Sequence, residues 1–196
     1  MRVLGVTGSI ATGKSTVTQM LAGLGAPTIS ADAIARTLLA PGTPMAQAVL
    51  AAFPNCAAPE PGRIDRRALA QIIFADAQAR TRLEALTHPP IIEALRWQIA
   101  EWRASSAAPA AAAEIPLLFE AGLEKDVDAV LVVSCAEAAQ QARLCARDGI
   151  SGEEARRQIA AQWPLLEKIA RADVVIMTDQ RLEDTRRQVA ALWESL

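Results

Sequence analysis

The chain has 196 residues, of which 52% are hydrophobic, and its formal net charge at pH 7 is −2. This length suits one domain with a substantial core, and no apolar stretch approaches the roughly 20 residues of a membrane-spanning helix. The near-neutral charge gives no basic footprint for nucleic acid. The apolar run from Val3 leaves no room for a secretory signal, and the three cysteines lack metal or redox spacing. We therefore expect a cytoplasmic protein with neither nucleic-acid nor membrane partners.

The first predicted elements are a buried parallel strand, Val3–Thr7, and a helix whose apolar face carries Val17 and Leu21. Between them, Gly8–Ser15 matches the pattern G-x-x-x-x-G-K-[ST]. Strand, glycine loop and helix N-terminus in this order are the context in which the pattern binds nucleoside triphosphates. The alternative is a chance glycine turn between a strand and a helix. The segment predicts binding of ATP or GTP with magnesium.

Each residue type in this phosphate loop has a physical role. Gly8 and Gly13 allow backbone conformations that turn successive N–H groups toward one anion, and the helix N-terminus adds unsatisfied N–H groups. Lys14 would place a positive charge at the β- and γ-phosphates, and Ser15 Oγ would be a ligand of Mg²⁺. The predicted phosphate-binding residues are Gly8, Ser9, Ile10, Ala11, Thr12, Gly13, Lys14, Ser15 and Thr16.

A short second strand, Pro27–Ser30, leads to Asp32. The carboxyl ends of parallel strands border the ligand site of an α/β sheet. Asp32 could therefore accept the proton of an acceptor hydroxyl, as the catalytic aspartates of kinases do. Aspartate is also a preferred N-cap residue, and a helix is predicted from Ala33. The residues leave both roles open.

A mostly helical stretch is predicted from about Ala33 to Ala104, interrupted by turns that contain proline and glycine. Asp65 would cap one of its helices. His88 would lie in a turn before Pro89, and this turn would separate two further helices. The stretch has no place in the sheet layer, so we expect a side domain such as a substrate-binding lobe.

The second half of the chain alternates strands and helices, which indicates a parallel sheet covered on both faces. Composition alone would assign the Ser/Ala/Pro run Ser105–Ala113 to a linker. We nevertheless expect a third strand at the end of this run, running into Glu114–Pro116. The other predicted elements are the strands Ala129–Ser134 and Val174–Met177 and the helices Ala136–Arg147, Ser151–Arg171 and Gln180–Leu196.

Phosphate loops occur in switches, motors and kinases, so other motifs must distinguish these classes. A GTPase switch usually carries N-K-x-D and D-x-x-G, whereas this chain has a single asparagine, Asn55, and no D-x-x-G. Large ATPases place an aspartate after an apolar strand, and the best match, Asp179, comes too late in the chain. Small size and helical insertions therefore favour a kinase that encloses a small acceptor.

On these residues the chain resembles the dephospho-coenzyme A kinase family over nearly its whole length. Any one matching segment is weak, but their shared order is specific. The segments are Gly5–Thr16, Ser30–Asp32 with Ala35 and Arg36, Pro41–Gly42, Arg66–Leu69 with Ile73 and Phe74, His88–Pro89, Ile115–Glu120, Gln141–Asp148, Gln162 with Lys168, and Ala172–Asp173.

The resemblance implies a three-layer α/β P-loop kinase fold with a central, mostly parallel five-stranded sheet, a helical acceptor-binding lobe and a helical lid. A single domain would span residues 1–196. The nucleotide-binding core would take about 1–32, 105–135 and 172–196, the acceptor lobe about 33–104 and the lid about 136–171.

The activity implied by the resemblance is transfer of the ATP γ-phosphate, with Mg²⁺, to the ribose 3′-hydroxyl of dephospho-CoA. This is the last step of coenzyme A synthesis, and ATP and dephospho-CoA would be the small-molecule partners of a chain for which a monomer is favoured. Two other functions stay open. One is another small-acceptor kinase, for a nucleoside monophosphate or a shikimate-like alcohol, and the other is a nucleotide-binding regulatory module whose helical lobe docks a protein.

The resemblance also assigns roles to residues. Asp32 would be the general base or would orient the acceptor, while Lys14 and one of Arg143 and Arg147 would neutralise charge on the transferring group. The i, i+4 spacing puts both arginines on one helix face, although a solvated surface face is the alternative. Glu114 would lie near magnesium. The expected acceptor contacts are Asp32, Arg36, His88, Leu117 and Glu120.

The chain departs from the family pattern at several positions. Ser9 and Ala11 replace glycines common in the family's loop, which costs little if both keep a negative φ. Ser30 replaces the first aspartate of an Asp-Ala-Asp segment, and Thr178–Gln180 stands where an asparagine-glycine turn is usual.

Overall fold

The computed structural model describes residues 1–105 and 107–196 of the chain, and these form two compact units. The sheet unit comprises Met1–Ser30 and Ile99–Leu196, and the helical unit comprises Ala31–Gln98. Within the described residues, no helix has both the length and the apolar character needed to cross a membrane.

The strands are β1 (Arg2–Thr7), β2 (Thr28–Ser30), β3 (Ala110–Glu114), β4 (Ala129–Ser134) and β5 (Val174–Met177). The helices are α1 (Lys14–Gly23), α2 (Ala31–Leu38), α3 (Pro44–Ala52), α4 (Arg66–Ala75), α5 (Ala77–Ser105), α6 (Glu137–Asp148), α7 (Gly152–Ala160), α8 (Leu165–Ile169) and α9 (Leu182–Glu194).

The strands form one sheet in the order β2-β3-β1-β4-β5, and every neighbouring pair is parallel. In the register, Val6 of β1 stands opposite Glu114 of β3 and Leu131 of β4. Helices cover both sides of the sheet, which confirms the predicted α/β fold. The sheet expected to be mostly parallel is parallel throughout. The strands therefore end at a common edge, where ligands bind in folds of this kind.

Apolar side chains hold the sheet and its helices together. Leu131 and Val133 of β4 are fully buried and pack with Val17 of α1 and Val189 of α9. A strand buried on both faces needs a continuous apolar run, and β4 supplies one. This packing fixes the start of α1 against the ends of β1 and β4.

The predicted linker contains a central strand. Ala110–Ala113 are 0% exposed and form β3, which pairs with β1 on one side and β2 on the other. Alanine has little intrinsic preference for strands, so pairing on both edges and burial, not propensity, make this strand. The third strand expected at the end of this run is present, but it ends at Glu114 instead of running on to Pro116. Ser106, also in the predicted linker, lies outside the described residues.

The helical unit has its own core and well-capped helices. Asp65 accepts hydrogen bonds from Arg67 N at 2.9 Å and Ala68 N at 3.0 Å, which confirms the predicted cap of α4. The buried core residues of this unit come from α3, α4, the start of α5 and the connection between α3 and α4: Ala46, Val49, Phe53, Cys56, Ile64, Leu69 and Ala79.

The turn predicted at His88 is wrong, because α5 continues for 29 residues through Pro89 and Pro90. Each proline removes one backbone hydrogen bond, and a proline inside a helix costs about 3 kcal/mol or more. Burial offsets that cost here, since Leu95 and Ile99 of α5 are 2% and 4% exposed. Tertiary packing has overridden the local signal.

The single helix predicted over Ser151–Arg171 is also wrong, since α7 ends at Ala160 and α8 begins at Leu165. Pro164 precedes α8, and the residue before a proline disfavours helical backbone. The resulting break places Gln162 outside a helix. The start of α7 is as predicted, because Ser151 Oγ accepts a hydrogen bond from Glu154 N at 3.2 Å.

Candidate active site

The phosphate loop connects β1 to α1 in a conformation that two glycines make possible. Gly8 has φ +148°, and a Cβ there would lie 2.3 Å from the carbonyl oxygen of Val133 in β4. Gly13 has φ +94° and precedes α1 without any side-chain cap. The start of α1 carries the positive end of the helix dipole, which favours an anion there.

Ala11 does not behave as expected. Its φ is +58°, which makes it the only non-glycine residue with positive φ among the described residues. The expectation that this position keeps a negative φ is therefore wrong. The left-handed region costs an L-residue about 1–2 kcal/mol. The loop holds Ala11 in a strained conformation that glycine would adopt freely.

The ammonium of Lys14 lies inside the loop. Lys14 Nζ donates to the carbonyl oxygens of Ser9 at 2.8 Å and Gly8 at 3.4 Å. These two carbonyl oxygens hold the Lys14 ammonium within the curve of the loop. A cation in this place can neutralise phosphate oxygens bound by the loop N–H groups.

Ser15 and Glu114 come together at the ends of α1 and β3. Ser15 Oγ donates to Glu114 Oε1 at 2.8 Å, and Glu114 is 6% exposed although it is a carboxylate. A hydroxyl and a carboxylate are hard oxygen ligands, and Mg²⁺ commonly takes one or two protein oxygens beside phosphate and water oxygens. The described residues hold no group of three or more His, Cys, Asp or Glu that would bind a metal by themselves. The donor set fits Mg²⁺ bound together with a nucleotide.

Two glutamines bind the loop from outside. Gln140 Nε2 in α6 donates to Ser9 Oγ at 2.8 Å and to Ile10 O at 2.7 Å. Gln162 Oε1, between α7 and α8, accepts from Ser9 Oγ at 2.9 Å and from Ile10 N at 2.7 Å. Sequence reasoning gave Gln162 no role and did not single out Gln140. Their sequence separation from the loop left no local signal that could have found them.

Arg143 and Arg147 lie on the same helix but have different partners. Arg143 donates to Thr178 Oγ1 at 2.9 Å and to the Thr178 carbonyl oxygen, and Thr178 Oγ1 donates to Thr12 O at 2.6 Å. Arg143 is thus linked to the phosphate loop through one residue at the end of β5. Arg147 instead pairs with Asp148 at 2.7 Å on the surface. That hydrogen bond raises the pKa of Arg147 and lowers the pKa of Asp148.

Cys135, which follows β4 near Arg143, is not a candidate nucleophile. It is 5% exposed, and burial raises the pKa of its thiol against the opposing effect of Arg143. The thiol stays protonated at neutral pH and is chemically inert there.

Glu120, expected at the acceptor, forms an ion pair with Lys168 of α8. Lys168 Nζ lies 2.6 Å from Glu120 Oε1, and its side chain is 0% exposed. The same ammonium donates to the carbonyl oxygen of Pro116 at 3.4 Å. Leu117, another expected acceptor contact, is half-buried in the same segment. This pair ties the segment after β3 to α8.

Asp32 and Arg36 belong to the helical unit and are exposed. Helix α2 begins at Ala31, so Asp32 lies in its first turn and the alternative role as N-cap is wrong. An acidic residue in the first turn still favours the helix dipole. Asp32 lines a cavity of about 410 Å³ in this unit. His88 is half-buried within α5 and does not line that cavity.

A second cavity of the helical unit, about 770 Å³, is rich in arginine. Arg36 and Arg66 line both cavities, and Arg63 and Arg67 join them in the second. Planar guanidinium groups bind phosphate oxygens in a bidentate manner. Glu60 and Asp65 also line the second cavity, so the helical unit presents a concave surface with more guanidinium groups than carboxylates.

The parallel sheet, the phosphate loop and the Ser15–Glu114 pair define a P-loop nucleotide-binding protein. Comparison with known proteins narrows this class. The family described as dephospho-CoA kinase matches residues 2–184. The chain belongs to the dephospho-CoA kinase family.

Individual relatives agree with this assignment. The dephospho-CoA kinase of Geobacter metallireducens is 46% identical over 99% of this chain and 96% of its own length. Among solved structures, TT1252 from Thermus thermophilus is 34% identical with a TM-score of 0.83, covering 100% of this chain and 97% of that one. Dephospho-CoA kinase from Campylobacter jejuni is 30% identical with a TM-score of 0.70, covering 98% and 96%.

Proposed function

We propose that this chain transfers the γ-phosphate of ATP to the ribose 3′-hydroxyl of dephospho-CoA, giving coenzyme A and ADP. Family membership over residues 2–184 is the observation that carries the proposal, because it selects the acceptor among those that P-loop kinases use. The donor half of the reaction is supported by the geometry of the sheet unit, and the acceptor half by the charges of the helical unit.

On the donor side, the loop N–H groups and the start of α1 bind the phosphates, and Lys14 neutralises their charge. Ser15 Oγ and Glu114 are the groups that would hold Mg²⁺, which when bound stabilises negative charge on the phosphate oxygens. Of the two predicted arginines, Arg143 is the one that acts on the transferring group, since its partner Thr178 contacts the loop. Arg147 forms a surface pair with Asp148.

On the acceptor side, Asp32 accepts or orients the proton of the attacking hydroxyl. Dephospho-CoA carries a pyrophosphate, and the arginines around the second cavity are opposite to it in charge. The four are Arg36, Arg63, Arg66 and Arg67. His88 and Leu117 stay proposed acceptor contacts, whereas the pair with Lys168 gives Glu120 a structural role.

Each part of the chain has its own task in this proposal. The sheet unit binds ATP, the helical unit binds the acceptor, and residues from about 136 to 171 form the lid within one functional domain. Phosphoryl transfer needs positioning and charge stabilisation more than covalent chemistry, so each unit has to bind and orient its own substrate. Action in the cytoplasm as a monomer belongs to the same proposal.

The test is release of ADP from Mg-ATP with dephospho-CoA, compared with AMP, CMP, adenosine, shikimate and no acceptor. Fast release with dephospho-CoA alone, with coenzyme A as the product, supports the proposal. Release with another acceptor would keep the donor site and reassign the helical unit. Binding of ATP without release of ADP, whichever acceptor is present, would favour the regulatory module.

A further inference from the structure

The four hydrogen bonds between two glutamines and the phosphate loop form a closed network. Gln140 and Gln162 each make two bonds, and both bind the same two loop residues, Ser9 and Ile10. Gln140 and Ser9 are each 2% exposed, so water competes little for these groups. Buried polar groups with satisfied partners fix a single local arrangement.

Counting donors and acceptors fixes the direction of every bond. The Ser9 hydroxyl has one proton, which it donates to Gln162 Oε1, and it accepts from Gln140 Nε2. Gln140 uses both amide protons, on Ser9 Oγ and Ile10 O, and Gln162 uses both lone pairs of its oxygen. Gln140 therefore acts only as a donor and Gln162 only as an acceptor in this network.

This network occupies the backbone groups of one loop residue. The N–H and C=O of Ile10 are both bound by glutamine, so the N–H of Ile10 is not available to a phosphate. The next residue is Ala11, whose strained φ of +58° needs support from its surroundings. The two bonds on Ile10 hold the backbone immediately before the strained residue.

We propose that Gln140 and Gln162 are positioning residues that set the phosphate loop in its ATP-binding conformation. Gln140 lies on α6 together with Arg143, so one helix carries both a residue that contacts the loop and the arginine proposed to act on the transferring phosphate. The inference rests on the proposed function only in requiring that the loop bind Mg-ATP. It does not depend on the identity of the acceptor.

The opposite bond directions permit a matched test. Glutamate has the shape of glutamine but only accepts hydrogen bonds when ionised. Gln162→Glu keeps the two acceptor bonds, whereas Gln140→Glu loses both donor bonds and places a carboxylate against Ser9 Oγ and Ile10 O. Gln162→Leu and Gln140→Leu remove the bonds without adding charge. Gln141→Glu measures the effect of a new charge on α6, since Gln141 Nε2 donates to Gly152 O and not to the loop.

The measurement is the dissociation constant of Mg-ATP by calorimetry, without acceptor. We expect both Gln140 variants to bind Mg-ATP about 10- to 100-fold more weakly, because each leaves buried loop groups without partners. Gln162→Leu should lose about 10-fold, and Gln162→Glu should recover most of that loss once the charge effect is subtracted. In steady-state kinetics the change should fall on KM for ATP more than on kcat.

Equal losses in Gln140→Glu and Gln162→Glu would overturn the proposal, as would losses below about twofold in all four loop-contacting variants. Failure of the wild-type chain to bind Mg-ATP would also overturn it. If the Gln140 variants do not fold, as judged by thermal unfolding, the Gln162 pair decides alone: recovery by Glu over Leu supports the proposal and no recovery contradicts it. Mg-ATP binding with the expected pattern but no turnover of dephospho-CoA would remove the proposed function and keep this inference.

Discussion

The sheet unit and the helical unit hold their functional groups in different ways. In the sheet unit, the phosphate loop and the side chains around it are already engaged: Lys14 binds loop carbonyls, Ser15 binds Glu114, and Arg143 binds Thr178. In the helical unit, Asp32 and the arginines of the second cavity are exposed to solvent.

This contrast separates a donor site that is organised by buried hydrogen bonds from an acceptor surface whose charges are exposed and have only weak surface partners, such as the pair Arg63–Glu60 at 3.7 Å. Preorganised dipoles stabilise developing charge without reorganisation at the moment of reaction. Exposed arginines gain strong partners only when an anionic acceptor replaces water. Substitutions in the sheet unit should therefore disturb organisation, and substitutions in the helical unit should disturb acceptor chemistry while ATP binding is kept.

The largest effect should come from Arg143. Arg143→Ala should lower kcat by about 10³- to 10⁵-fold, by analogy with arginines that stabilise transferring phosphoryl groups. Arg147→Ala is the matched control on the same helix and should lower kcat less than about tenfold, because Arg147 pairs with Asp148 on the surface. Single-turnover kinetics with Mg-ATP and dephospho-CoA measure both. Similar losses in the two variants would contradict the assignment of Arg143.

The second effect tests the helical unit. Asp32→Asn should lower kcat by about 10²- to 10⁴-fold, the usual worth of a general base, and leave the Mg-ATP dissociation constant within about twofold. The variant should fold normally, because Asp32 is exposed in the first turn of α2. Calorimetry and turnover together check this. Near-wild-type turnover would reduce Asp32 to a residue that supports the helix start.

The third effect concerns stability within the sheet unit. Glu120→Ala leaves the fully buried Lys168 ammonium with the Pro116 carbonyl oxygen 3.4 Å away. Because the Glu120 side chain is 21% exposed, we expect a loss of about 1–3 kcal/mol, the cost of a buried donor that loses its partner. Urea unfolding measures the loss. The double variant Glu120→Leu/Lys168→Met should lose less than Glu120→Ala, since no buried charge is left unpaired.

The same Glu120 variant also tests the acceptor contact implied by the family resemblance. With a structural role only, KM for dephospho-CoA should stay within about twofold of the wild type under conditions where the variant is folded. A raised KM with unchanged stability would return Glu120 to the acceptor site.

The sequence was sufficient where the signal is short-range. The phosphate loop was identified from consecutive residues, and β4 and β5 lie at their predicted bounds, Ala129–Ser134 and Val174–Met177. An apolar run of this length and its flanking residues contain the information that a buried strand needs. The cap of α4 by Asp65 is local in the same way.

Prediction failed where distant residues decide. A third strand is expected at the end of the Ser/Ala/Pro run, but its bounds, Ala110–Glu114, depend on pairing with β1 and β2, which lie far along the chain. Similarly, α5 passes through Pro89 and Pro90 because burial elsewhere in the helix offsets their cost. The glutamine network joins residues 131 and 153 positions apart, and no periodicity or spacing rule reaches that far.

The smallest expected effect comes from Ala11, whose substitution tests the backbone strain in the phosphate loop. Ala11→Gly removes a left-handed strain of about 1–2 kcal/mol but adds about 0.5–1 kcal/mol of chain entropy to the unfolded state. We therefore expect a gain of up to about 1.5 kcal/mol in the free energy of unfolding, measured in urea. Gly8→Ala is the opposing control, because its Cβ would lie 2.3 Å from Val133 O and must destabilise the loop. A loss of stability in Ala11→Gly would mean that the alanine methyl contributes packing worth more than the strain, and the loop would then be held by contact as well as by its hydrogen bonds.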